Sequence, residues 1–167
     1  MFYLLLALGG VVWLGARHGA LPLALFLDRR SFGVDLLLGA AAGGALVGLW
    51  RGALRLSSEA RAIAAYLRQA LGTLGREEAL ALALLSGFAE ELFFRGAMQQ
   101  AWGLLAATAA FALLHLGGGR ALRLWAVFAA IAGLLFGLLA QWRGNLLAPM
   151  VAHVVVNAVN LRQLRRW

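Results

Sequence analysis

The sequence is built from long apolar runs, separated by short stretches rich in arginine or glycine. The run from Ala79 to Trp102 sets the terms for all of them. In lipid no water is present to satisfy backbone N–H and C=O groups, so a run of this length spans the membrane as an α-helix. The pattern recurs along the chain, and only 13% of its residues are charged against 63% hydrophobic. A soluble domain carries about 25% charged residues. The expected fold is therefore all-α: a polytopic membrane helical bundle of about six transmembrane spans plus an interfacial amphipathic helix. Six spans of roughly 20 residues use most of the length, which leaves a single domain over 1–167.

The expected spans are Phe2–Ala16, with a tilted or broken extension to Leu27 around Pro22; Phe32–Trp50; Ala79–Trp102; Leu104–Leu116; Leu124–Trp142; and Leu146–Leu161. Within the domain, 1–50 holds the N-terminal spans and 51–78 is a polar connector. Residues 79–161 form the core, and 162–167 a basic tail. Gly39-x-x-x-Gly43, Gly44-x-x-x-Gly48 and Gly133-x-x-x-Gly137 are small-residue patterns that let helix backbones approach in lipid. Asp35 and His18 fall near span ends and are expected at the interface. Inside the connector, Ser58–Leu71 has helical amphipathicity, with Ser57 or Ser58 as N-cap and Gly72 as terminator. A basic amphipathic helix of this kind lies in the membrane interface or serves as a solvated connector. Trp50, Trp102, Trp125, Trp142 and Trp167 stand near span ends, where amphipathic rings prefer to sit.

The formal charge is +8, and every basic residue is arginine. These arginines lie between apolar runs, so they report topology and lipid headgroup contact rather than nucleic-acid binding. Arg51, Arg55, Arg61, Arg68, Arg76, Arg120, Arg123, Arg162, Arg165 and Arg166 fall on one side, and Arg17, Arg29, Arg30 and Arg143 on the other. That bias puts both termini in the cytoplasm. Without cysteine there is no disulfide, thiolate metal site or cysteine nucleophile. The N-terminus lacks the basic n-region of a cleavable signal and is expected to be a retained span.

One stretch breaks the apolar rule. Glu90, Glu91 and Arg95 sit inside the third span, where each charge costs about 2.5–3.5 kcal/mol on insertion scales. Each helical residue advances about 100°, so Glu91 and Arg95 share a face and compensate one another, while Glu90 points elsewhere. The polar residues on other spans follow the same spacing: Phe111 with His115, and His153 with Asn157. Glu90, His115, His153 and Asn157 form a set able to hydrolyse a peptide bond. Glu90, assisted by His115, would act as general base on water, and His153 and Asn157 would donate to the oxyanion. The same Glu90, His115 and His153 also suit a Zn²⁺ ion with an open water position, although Asn157 fits an oxyanion role better than a metal site. The metal-free mechanism is preferred, with no cofactor. H-E-x-x-H, G-x-G-D and a complete G-x-S-G are all missing. Ser86 is read as a packing or hydrogen-bonding residue.

Glu90-Glu91-x-x-x-Arg95, Phe111-x-x-x-His115 and His153-x-x-x-Asn157 resemble, in order and spacing, the three motifs of the CPBP family. This family comprises CAAX proteases and bacteriocin-processing membrane proteins, also called Abi. The resemblance implies an intramembrane glutamic endopeptidase in a bacterial inner membrane. Glu90 would be the catalytic glutamate, His115 its partner, and His153 and Asn157 the oxyanion pair. Glu91, Arg95 and Phe111 would support them. The implied partners are a membrane-anchored protein or peptide substrate and membrane lipids, with CAAX-type or C-terminal sorting-type processing. Rival readings are a non-catalytic bacteriocin self-immunity protein and a small proton-coupled transporter, the latter without visible inverted repeats.

Overall fold

A computed structural model describes residues 1–20, 22–26, 28 and 30–164. The expected extension to Leu27, Arg29 and the Arg165–Trp167 end of the basic tail fall wholly or partly outside these residues. The described chain is all helical: α1 (Phe2–His18), a 3₁₀ turn (Leu23–Leu25), α2 (Phe32–Leu56), α3 (Ser58–Leu71), α4 (Arg76–Glu91), a π-helical segment (Leu92–Met98), α5 (Gln99–Leu114), α6 (Arg120–Arg143) and α7 (Leu147–Leu164). Among the described residues, three helices are long and apolar enough to cross a membrane: Phe32–Leu56, Arg76–Leu114 and Arg120–Arg143. Phe2–His18 is shorter. Six full-length spans are therefore not present as six equivalent helices. The continuous stretch 76–114 breaks at Gly103, whose φ of 86° is open to glycine and strained for other residues. Phe111 meets Phe94 at 5.2 Å between ring centroids, whereas a straight helix would hold them about 25 Å apart. The chain reverses at Gly103, and the returning arm is only 11 residues long to Leu114.

The core lies where α2, α6 and α7 meet, around Leu46, Val47, Phe136, Ala152 and Val156. Two glycines make that contact possible. A Cβ on Gly39 would stand 2.5 Å from the Ala148 carbonyl oxygen, and one on Gly43 2.7 Å from that of Ala152. The neighbouring Gly44 and Gly48 would meet nothing within 4 Å, so this second small-residue pattern is not a packing seam. Gly87, outside any pattern, has Val154 at 2.7 Å from its missing Cβ. Asp35 lies in the first turn of α2, near the span end where it was expected. It is fully buried, with Arg143 Nε at 2.5 Å from one oxygen and Ser31 Oγ and Asn145 Nδ2 at 2.7 and 2.9 Å from the other. Asn145 Oδ1 in turn accepts from the Leu147 amide at the start of α7. The aliphatic side chains left exposed, such as Leu5, Leu37, Leu105 and Leu138, suit a lipid environment. Ser57 is the N-cap of α3, accepting from the Ala60 amide, and Gly72 ends the helix.

Candidate active site

Regular α-helix ends at Glu91, and the next seven residues are π-helical. Such segments are rare and concentrate at functional sites. Glu90, Glu91 and Arg95 are all at least nine-tenths buried. Arg95 Nη1 donates to Glu91 Oε1 at 3.0 Å, as the i, i+4 spacing predicts. Its Nη2 donates to the Gly133 carbonyl at 3.2 Å, and Gln99 Nε2 to the Gly137 carbonyl at 2.9 Å. The two residues four apart on one helix thus match two glycines four apart on α6. The Gly133-x-x-x-Gly137 pattern brings backbone acceptors to a buried cation as well as packing helices. Phe111 covers Arg95, with its ring centroid 4.4 Å from the guanidinium carbon, a cation–π contact in a dry setting.

His153 joins this network, a contact that helical phase within one span does not reveal. Its Nδ1 lies 2.8 Å from Glu91 Oε1. Its Nε2 lies 3.9 Å from Glu90 Oε2, beyond hydrogen-bond distance. Glu91 therefore serves both Arg95 and His153, through the same oxygen. Glu90 Oε2 is buried without a hydrogen-bond partner among the described residues. Asn157, one turn after His153, donates from Nδ2 to Ser86 Oγ at 2.9 Å. Ser86, one turn before Glu90, passes its own hydrogen to the Ala83 carbonyl at 3.3 Å. The hydrogen-bonding reading of Ser86 acquires a partner here, and its place beside Asn157 was not legible from spacing. His115 terminates α5, with Nδ1 at 2.8 Å from the Phe111 carbonyl oxygen and its ring edge-on to Trp125.

Glu90, His115, His153 and Asn157 border one cavity of about 230 Å³, together with Ser86. Tyr3, Trp50, Trp125, Phe128 and Asn160 complete much of its wall. Tyr3 comes from the opposite end of the sequence, and nothing in its local pattern marks it. Leu67 and Leu71 of α3 also reach the cavity, so the amphipathic helix forms one side of it. Glu90, His115 and His153 share the cavity without meeting as a metal site. Among the described residues no three His, Asp or Glu side chains converge at ligand spacing. His153 Nδ1 is already committed to Glu91.

Comparison with known proteins bears on the same region. Residues 77–159 match the family model described as type II CAAX prenyl endopeptidase Rce1-like. The chain is 43% identical over 86 residues to the uncharacterized protein YpbD of Bacillus subtilis (strain 168), an alignment covering 50% of this chain and 44% of YpbD. The chain thus spans less than half the length of the curated relative it matches. No solved structure matches.

Proposed function

We propose that this chain, which belongs through residues 77–159 to the Rce1-like type II CAAX prenyl endopeptidases, is an intramembrane endopeptidase cleaving a membrane-anchored protein or peptide. The observation that carries this reading is Glu90. It is buried, it borders a cavity shared with His115, His153 and Asn157, and one of its oxygens has no partner among the described residues. An unpartnered buried carboxylate costs stability, and a role as general base on water supplies a reason to keep it there.

Hydrogen-bond direction sets the roles. A carbonyl only accepts, so His115 carries its proton on Nδ1 toward Phe111, and the Nε2 of the neutral ring is an acceptor. Glu90 and His115 Nε2 together hold a water molecule. Glu90 takes one of its protons as the water oxygen bonds to the scissile carbonyl carbon. An ionised Glu91 likewise only accepts, so His153 carries a proton on Nδ1. With both ring nitrogens carrying hydrogen, its Nε2 donates to the oxyanion. Asn157 has a second N–H beyond the one given to Ser86 and supplies the other oxyanion donor. The proton on Glu90 then passes to the leaving nitrogen, the C–N bond breaks, and the products are a carboxylic acid and an amine. The reaction is metal-independent in this reading. The substrate is processed in a CAAX-type or C-terminal sorting-type manner, from a bacterial inner membrane with both chain termini cytoplasmic.

Glu90→Gln tests it. The substitution keeps shape and removes the base. Membrane peptides compared between cells making the wild type and the variant at equal levels should include a cleavage product found only with the wild type. Identical peptide profiles, or cleavage retained by the variant, sink the assignment. Chelator treatment should leave cleavage unchanged, and inhibition rescued by zinc would reverse the metal-free mechanism.

A further inference from the structure

Helix α3 is the most polar helix of the bundle. Only Ala60 and Ile63 of its fourteen residues are buried. Arg61 and Arg68 stand seven apart, two turns along one face. With Ala64, Ala65 and Gln69, and with Leu54 from the end of α2, they line an open groove of about 420 Å³. The groove joins an apolar floor to a cationic rim, with no carboxylate among its described lining residues. The helix's own acid, Glu59, accepts from the Ser57 and Ser58 hydroxyls and faces the charge of Arg120 on α6. It therefore does not neutralise the groove. Arg61 Nη1 donates to the Leu54 and Arg55 carbonyls at 3.0 and 3.4 Å, which anchors that guanidinium where α2 ends. Leu54 and Ala64 are shared with the active-site cavity, so the two spaces adjoin.

We infer that this groove binds one anionic phospholipid, with its headgroup phosphate on Arg61 and Arg68 and its acyl chain along Leu54, Ala64 and Ala65. Guanidinium groups match phosphate oxygens through paired N–H donors. An apolar floor beside them suits an amphiphile rather than a free anion, and an amphipathic helix beside spanning helices lies where headgroups are found. The inference is independent of the hydrolytic reading, because it concerns a site outside the catalytic set.

The test uses the purified full chain in phosphatidylcholine nanodiscs titrated with phosphatidylglycerol, read by native mass spectrometry and thermal unfolding. An arginine near the membrane surface contributes about a 5-fold preference for anionic lipid, and the pair about 30-fold. The wild type should retain one phosphatidylglycerol with roughly that selectivity. Arg68→Gln should lower it about 5-fold, whereas Arg123→Gln, on the same membrane side and outside the groove, should leave it unchanged. Equal retention of both lipids, an unaffected Arg68→Gln, or an equal loss in Arg123→Gln would overturn the site. Soluble glycerol 1-phosphate should not raise the unfolding temperature. If it matches the lipid, the groove is a phosphate site and the lipid assignment fails.

Discussion

Two buried carboxylate networks hold the bundle together, and they are built differently. At one end, where α2 and α7 begin and α6 ends, both oxygens of Asp35 are taken by Arg143, Ser31 and Asn145. Deeper along α6 and α7, Glu91 gives one oxygen to both Arg95 and His153; Glu90 and Glu91 each keep an oxygen without a partner among the described residues, and of the two only Glu90 borders the cavity. Full pairing is the signature of a latch. Asp35 ties three helix ends together and, through Asn145, sets the start of the helix that carries His153 and Asn157. Incomplete pairing is tolerable in a buried site only if something else uses the free group. The lesson is that burial and charge do not by themselves mark a catalytic residue. Glu90 is set apart from Glu91 by unspent hydrogen-bonding capacity together with its place on the cavity wall.

Removing charge from the two networks should expose this difference. Glu90→Gln should abolish cleavage and leave the unfolding temperature near that of the wild type. Glu91→Gln strips the compensating charge from buried Arg95 and should cost about 3–5 kcal/mol, measured by denaturant unfolding in detergent. If Glu91→Gln is as stable as the wild type, the ion pair is not what holds this network. Asp35→Asn should cost less, about 1–3 kcal/mol, because Arg143 is partly exposed and keeps access to water. Any cleavage lost in Asp35→Asn should return when the protein is stabilised, which Glu90→Gln should not allow. A loss that survives stabilisation would move Asp35 from the latch to the chemistry.

The smallest effect belongs to neither network. Ser57→Ala removes the N-cap of α3 and should cost about 1 kcal/mol. The neighbouring Glu59 has a pKa lowered by its own backbone amide and by the Ser57 and Ser58 hydroxyls. A carboxyl with a depressed folded pKa stabilises above its unfolded value and loses that stabilisation as pH falls through the folded one. Ser57→Ala should therefore narrow its gap to the wild type in acid, read from paired unfolding curves. A gap that does not change with pH would separate Glu59 from the cap.

Much of the molecule was determined by the sequence alone. Long apolar runs in lipid leave only helix, so the all-α class follows from composition and backbone hydrogen bonding. Helical phase pairs Glu91 with Arg95 and separates Glu90 from them. Gly103, between two expected spans, is where the chain turns. These are local consequences of a 3.6-residue period, a missing Cβ and the cost of charge in hydrocarbon.

Only the tertiary structure decided what met across helices. His153 reaches Glu91, Asn157 reaches Ser86, and the carbonyls of Gly133 and Gly137 reach Arg95 and Gln99. Asp35 sits near a span end, as its place in the sequence implies, but the partners that bury it there come from two other helix ends. Gly39 and Gly43 pack where Gly44 and Gly48 do not, because α7 covers only one face of α2. Periodicity tells which residues share a face of one helix. It carries no information on which face another helix covers, and the partners of the buried charges are set there.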